Sequence, residues 1–225
     1  MTKRANKPAS MTITGSSTEV TLAGPALAMI EINDLAVGYA SLDALLKEAP
    51  VKVIGAGTVQ HGHWLVAFVG EVHPVELSFA RAIHSAGTTV LDAVLLADAE
   101  PRILPALTTG TIRPPTAQPG KIAEGDALGV VQTSSSPTLL RSVDVALKGA
   151  TVGLVELRIA EGLWGRAIAL YWGFQADVEA AIELSREAFT KGRPEGCSAV
   201  VVPNADDEMT RTLESGSRFF KEFRG

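Results

Sequence analysis

Hydrophobic positions in residues 26–107 follow two spacings, one typical of helices and one typical of strands. Apolar residues spaced by three and four positions, as on one helix face, form two stripes: Leu42, Leu45, Leu46 and Ala49, then Val72, Val75, Phe79, Ala82 and Ile83. Short apolar runs typical of strands lie at 26–32, 51–58, 64–69 and 88–96, and 100–107 is predicted to form a short helix. Because a turn containing Gly62 separates the two middle runs, they are predicted to form a hairpin. The resulting β-α-β-β-α-β order is that of the ferredoxin-like split unit.

The same pattern occurs a second time in the chain. At one constant spacing, Ala26 matches Ala127, Asp43 matches Asp144, Lys47 matches Lys148 and Val51 matches Val152. After a two-residue insertion, Gly70 matches Gly173. The elements predicted in the second copy are a strand at 127–133, a helix at 138–150, a hairpin at 152–173, a helix at 176–190 and a strand at 197–202. Two copies are too few for a solenoid, so the chain is predicted to be α+β, with two tandem ferredoxin-like domains.

Five segments follow from this repeat. They are a polar leader at 1–24, a first domain at 25–107, a Pro- and Gly-rich linker at 108–126, a second domain at 127–205 and a charged C-terminal helix or tail at 206–225. In the first hairpin, residues that point to opposite faces of the sheet are both apolar, with Leu65 and Ala67 alternating with Val66 and Phe68. We therefore expect the sheet face away from the helices to be partly covered as well.

Composition narrows the possible functions. With 46% hydrophobic residues among 225, the chain is too apolar to be largely disordered. A net charge of −5 argues against a nucleic-acid partner, and no apolar run reaches the ~20 residues of a membrane span. Residues 1–10 are polar and lack the apolar segment of a secretory signal peptide, so no such signal is expected. One cysteine, Cys197, cannot form an internal disulfide, which fits a reducing compartment.

These residues together resemble the tandem bacterial microcompartment shell proteins. Each copy opens with an Ala-Leu strand, carries an Asp-x-x-x-Lys helix ending and has a glycine-containing hairpin loop. Residues 86–110 are similar to the matching stretch of the iron–sulfur members found in propanediol-using compartments. The resemblance implies a homotrimer whose six domains imitate a hexagonal tile with a central pore. It also implies a place in the shell of a cytoplasmic organelle, beside other shell proteins and encapsulated enzymes, with small metabolites passing through the pore.

The resemblance also assigns two sets of residues. The tile edge is expected at Asp43, Lys47, Asp144 and Lys148. Without the resemblance, a lysine that caps a helix would be the simpler interpretation, because cations complement the helix C-terminus. The pore is expected at the two hairpin loops, with residues Val59, Gln60, His61, Gly62, Glu161, Gly162, Leu163 and Trp164. A ring of Glu161 carboxylates would disfavour anions.

No cofactor or metal is expected. The cysteine that holds the iron–sulfur cluster in the propanediol relative corresponds to Gln60, and an amide cannot supply a thiolate. His61 and His63 share one face of an extended strand and could bind a metal. A third ligand would have to come from other copies of the chain, so polar loop histidines are the preferred interpretation.

Enzymatic chemistry is not expected either. The chain has no nucleophile-elbow glycines around Ser134–Ser136, no phosphate-binding glycine loop and no dinucleotide fingerprint after a strand. The alternative to a structural shell protein is a soluble trimeric regulator of ferredoxin-like fold that binds a small molecule between subunits. Such a protein would form discrete trimers that do not tile.

Overall fold

The computed structural model describes residues 25–108, 126–160, 162–206, 208–209 and 217. The first domain contains β1 (Ala26–Ile32), α1 (Leu35–Glu48), β2 (Lys52–Val59), β3 (His63–Gly70), α2 (Val72–Ala86), β4 (Val90–Leu96) and the short helix α3 (Ile103–Thr108). The second contains β5 (Asp126–Thr133), α4 (Ser136–Gly149), β6 (Gly153–Ile159), β7 (Ala167–Phe174), α5 (Gln175–Phe189) and β8 (Ser198–Val202). The predicted leader, nearly all of the linker and most of the C-terminal helix lie outside the described residues.

Each domain forms one four-stranded antiparallel sheet, and the two sheets have the same topology. The strand orders are β2-β3-β1-β4 and β6-β7-β5-β8. Both also shift register at the same place in the repeat, between Val53 and Gly55 in β2 and between Leu154 and Glu156 in β6. The predicted pair of α+β ferredoxin-like domains is therefore confirmed. The two domains also share the register shift in their first hairpin strand.

Helix and strand boundaries follow local capping chemistry. Asp34 caps α1 by accepting a hydrogen bond from the Val37 amide at 3.0 Å. In the second copy Ser135 takes this role, and Pro137 occupies the first turn of the helix. The helix predicted at 138–150 therefore begins earlier, at Ser136. The strand predicted from residue 88 begins at Val90, because residues 87–89 form a short 3-10 turn.

Helices α1 and α2 cover one face of the first sheet. The Ser41 hydroxyl donates to the Ala82 carbonyl, and the Ser78 hydroxyl donates to the Leu45 carbonyl, both at 3.0 Å. These small side chains let the two helices approach each other over a buried layer. That layer includes Ala28, Ile30, Val66, Phe68 and Val75.

The opposite face of the first sheet packs against the second domain. Leu27, Met29, Leu65 and Val94 share one continuous core with residues of α4, among them Leu139, Leu140 and Val143. The expected coverage of the second face is confirmed in this sheet. On the β1 and β4 side, the helix that covers this face is α4, which comes from the other half of the chain.

None of the helices within the described ranges has the length and apolar character that crossing a bilayer requires.

Candidate functional site

The two hairpin loops lie side by side. The Trp164 amide donates to Gln60 Oε1 at 3.0 Å, although the two residues are far apart in sequence. The rings of His61 and Trp164 meet edge to face, with centroids 5.4 Å apart. A Cβ added to Gly165 would lie 3.4 Å from the Cβ of His61. The hairpin loops of the two repeats thus form one surface.

Tight left-handed turns shape both loops. In the first loop His61 and Gly62 have φ values of 75° and 77°, and in the second Trp164 and Gly165 have 55° and 77°. Glycine adopts this region without a Cβ penalty, whereas a bulky residue there carries strain. The histidine and the tryptophan both keep this geometry where the two loops touch each other.

The other predicted loop residues take different positions. Val59 ends β2 and is half-buried, Gly62 and Gly162 are exposed, and Leu163 is half-buried. Glu161 lies outside the described residues, so its expected contribution to a charged ring stays a prediction.

His61 and His63 do not act as an equivalent pair. Their rings contact each other edge to face at 5.2 Å, but His63 is buried while His61 is exposed. His63 Nδ1 lies 2.8 Å from Glu31 Oε1, so its ring is engaged with a carboxylate. Across the ranges that the structure describes, no three His, Cys, Asp or Glu side chains gather as a metal site would require.

A buried polar cluster joins the two domains, and we call it the domain seam. It consists of Glu31, His63 and Asp92 on the first sheet and of Ser135, Ser136 and Thr138 at the start of α4. Glu31 Oε2 accepts the Ser136 amide at 3.1 Å. Asp92 Oδ2 accepts both the Ser135 hydroxyl and the Thr138 hydroxyl, the latter at 2.6 Å. Two carboxylates from the first domain therefore satisfy the amino-terminal donors of a second-domain helix.

Burial raises the pKa of Glu31 above its ordinary value. The hydrogen bond with His63 and the Ser136 amide act in the opposite direction, and the charge of nearby Asp92 adds to the rise. Isolated buried carboxylates are costly, so the hydroxyl and amide donors of α4 are what make this cluster tolerable. The seam fixes how the two halves fit together.

The C-terminal end of α4 is held by Asp144 and Lys148, two of the residues predicted at the tile edge. Lys148 Nζ lies 2.9 Å from Asp144 Oδ2 and also donates to the Asp98 carbonyl. Asp144 Oδ1 accepts the Glu100 amide at 2.8 Å. In this copy the Asp-x-x-x-Lys ending contacts the loop that follows β4 of the first domain.

In the first copy the same sequence pair is open to solvent. Lys47 Nζ lies 2.7 Å from Asp43 Oδ2, and the side chain of Asp43 is 62% exposed, against 8% for Asp144. The structure therefore places the four predicted edge residues in two environments, one covered by a domain of the same chain and one facing solvent.

Arg102 is a contact that the sequence did not predict. Its guanidinium binds Glu100 Oε1 at 2.7 Å and reaches the carbonyls of Val152 and Leu147 at 2.8 and 3.1 Å. The available signal was limited to an arginine in the short helix predicted at 100–107. The two carbonyls that it binds lie in the other domain, and local patterning carries no information about them.

The outer faces of α1 and α4 differ in solvent exposure, as Asp43 and Asp144 do. Tyr39 is 63% exposed, whereas its repeat partner Leu140 is fully buried. Leu46 is 50% exposed, whereas Leu147 is 5% exposed. Leu35, at the start of α1, is exposed as well. The face that α4 buries against the first domain is thus present on α1, still apolar, without a partner domain from its own chain.

A cavity of about 380 Å³ also lies between the domains, behind the hairpin strands. Its walls come from β2 and β3 on one side and from β6 and α3 on the other, and they include Ile54, Ala56, Leu65, Ala106, Leu157 and Arg158.

Comparison with known proteins agrees with this architecture. The family model described as the BMC domain matches residues 26–98 and again 127–205. The bacterial microcompartment shell protein PduT of Citrobacter freundii is 27% identical over 192 residues, covering 85% of this chain and 98% of that protein.

Solved structures show the same likeness. The crystal structure of a microcompartment protein from Desulfitobacterium hafniense superposes with a TM-score of 0.66 at 28% identity, covering 84% of this chain and 99% of that one. The fused, permuted hexameric shell protein of the RMM microcompartment shares the fold, with a TM-score of 0.53, 23% identity and coverage of 74% and 82%. With two matched domains and a relative named as a shell protein over nearly its whole length, the chain belongs to the BMC-domain family as a tandem-domain structural protein of the bacterial microcompartment shell.

Proposed function

We propose that three copies of this chain close into a ring that serves as one six-sided shell tile with a central opening. The observation that carries the proposal is the contrast between the outer faces of α1 and α4. The apolar surface that α4 buries within the chain is exposed on α1, at repeat-matched positions. Head-to-tail contacts that close by rotation give rings, and each chain offers one unfilled contact of this kind.

The second sheet supplies the matching surface. Its face away from α5 carries Val130 and Val200, and Val200 is 51% exposed. Gly129, one position along, faces α5 instead, because a Cβ there would contact Val178 and Ile182. Docking α1 of one copy on this face would repeat the contact that α4 makes with the first sheet.

The paired hairpin loops support a central opening. In a ring, the Gln60–Trp164 contact would recur three times, and His61 would stand beside it each time. Exposed polar groups and an indole would then line the passage, with the Glu161 carboxylate as the charge predicted from sequence. Small polar metabolites are the cargo that such a lining suits.

The outer edge of the tile would use both lysines. Lys47 and Lys148 end repeat-matched helices, and both ammonium groups keep solvent access while bound to Asp43 and Asp144. An ammonium has three donors, so each can also reach a carbonyl of an adjacent tile. Other shell proteins would be partners along this edge, and encapsulated enzymes would contact one face of the tile.

Electron microscopy of the concentrated protein tests tiling. Sheets or tubes with hexagonal spacing are expected from the wild type, and Lys47→Ala together with Lys148→Ala should reduce them to separate rings. Because Lys148 also binds the first domain of its own chain, sedimentation velocity of the same variant must show intact rings before the loss of sheets is assigned to the tile edge. Wild-type particles that stay separate at every concentration would instead favour a discrete trimeric binding protein, which the interdomain cavity would suit.

A further inference from the structure

We propose that hydrogen-bond donors and acceptors exchange places between the contact inside a chain and the contact between chains, so that α1 fits only the second sheet of another copy. We call this exchange the polar reversal. The inference rests on the proposed ring and names its partner surface. Within the chain, carboxylates lie on the sheet and hydroxyls on the helix. Between chains, the carboxylate lies on the helix, at Asp34, and the donors lie on the sheet.

The positions follow from the repeat and from strand register. Glu31 pairs with Asp92 across the first sheet, and its counterpart Gln132 pairs with Ser198 across the second. Where the first sheet presents two carboxylates to the start of α4, the second therefore presents an amide and a hydroxyl. Ser198 is exposed and Gln132 is half-buried.

The register also places a cation next to the second sheet, immediately before β7. Glu31 lies opposite Leu65, two residues after His63, and Gln132 lies opposite Ile168, two residues after Arg166. Arg166 thus takes the place of His63, and it is exposed. The second sheet presents donors where the first presents acceptors.

The helix side changes in the complementary direction. Ser135, which donates to Asp92, has Asp34 as its counterpart. One oxygen of Asp34 accepts the Val37 amide at 3.0 Å, and a carboxylate can accept further donors. Docked like α4, α1 would bring this carboxylate to the Ser198 hydroxyl and the Arg166 guanidinium.

Pairing α1 with the first sheet of another copy is unfavourable, because it would bring acceptors together with acceptors. Within each chain α4 already covers this face of the first sheet. If α1 of another copy displaced α4, Asp34 would face Glu31 and Asp92, placing three carboxylates together in a buried site without the hydroxyl donors of α4. First and second halves must therefore alternate around the ring. A chain can neither pair its first half with the first half of another copy nor add a stray copy in that orientation.

Replacing Ser198 by aspartate tests the proposal at an exposed position, where the fold of the chain is not at risk. In the Ser198→Asp variant the introduced carboxylate would meet Asp34 of the next copy. We expect the ring to dissociate at least 100-fold more readily in sedimentation velocity, since like charges brought together at an interface cost several kcal/mol. Ser85→Asp adds the same charge to an exposed position of α2 and should leave the ring unchanged.

Adding Asp34→Ser to Ser198→Asp provides the rescue. This pair copies the internal Ser135–Asp92 contact, and serine also caps helices well, so the ring should regain at least tenfold of its stability. A ring that ignores Ser198→Asp, or a double variant no tighter than Ser198→Asp alone, would overturn the polar reversal. A wild-type chain that is monomeric would overturn the ring itself, a different result.

Discussion

Leu46 and Leu147 are the same residue at the same place in the repeat, and they provide a matched test of the ring. Leu147 is 5% exposed because the first domain of its own chain covers it, whereas Leu46 is 50% exposed. If another copy covers α1, Leu46 supports assembly and Leu147 supports folding. The two alanine variants should then fail in different assays.

The expected sizes follow from burial. Leu147→Ala removes a buried side chain from the core and should lower the free energy of unfolding by about 2–5 kcal/mol. Leu46 has about half of its side chain left to bury, worth about 1 kcal/mol per contact, or about 3 kcal/mol over three contacts in a ring. Leu46→Ala should cost the isolated chain roughly 1 kcal/mol or less, because its buried half alone is lost.

Two measurements separate these effects. Denaturant unfolding at concentrations low enough to dissociate the ring reports the chain alone, because assembly makes apparent stability depend on concentration. Sedimentation velocity over a concentration series reports the ring. The reasoning is refuted if Leu46→Ala assembles as tightly as the wild type, or if Leu147→Ala weakens the ring while leaving the chain as stable as before.

Four further predictions concern other parts of the structure. Because the pKa of Glu31 is raised, the wild type loses the stability of its protonated carboxyl as pH rises above 4.5. Glu31→Gln avoids this loss, so its stability should exceed that of the wild type by an amount that grows with pH. Parallel urea titrations at pH 4.5 and 7 check this. Lys148→Ala should lower the unfolding midpoint more than Lys47→Ala, because only Lys148 binds the other domain. Gln60→Ala should leave folding intact but speed amide exchange at Trp164, whose donor loses its acceptor. The thiol of Cys197, whose pKa burial raises, should alkylate more slowly at pH 8 in the folded chain than in denaturant.

Sequence patterning was sufficient for the elements but not for their environments. The run at 26–32 coincides with β1, and the two stripes fall on α1 and α2, because burial period and backbone geometry are local properties. Boundaries moved where capping chemistry prevailed, as at Ser135. The fold class was therefore accessible from one sequence.

The roles of repeated residues were not accessible in this way. Asp43 and Asp144 each follow a serine by two residues and precede a lysine by four, yet one is exposed and the other accepts an amide of the opposite domain. The difference arises from a contact between the halves, and no local pattern encodes it. Glu31 and Asp92, charged residues inside apolar strands, were the available signal for the domain seam.

The mass of the particle that the chain forms at high micromolar concentration, measured by sedimentation equilibrium, tests the central claim most directly. The account predicts a single species of three times the 23.6 kDa chain mass, which dissociates on dilution without unfolding. A species of 23.6 kDa that persists at high micromolar concentration would mean that the outer face of α1 needs no partner, and the ring would have to be abandoned.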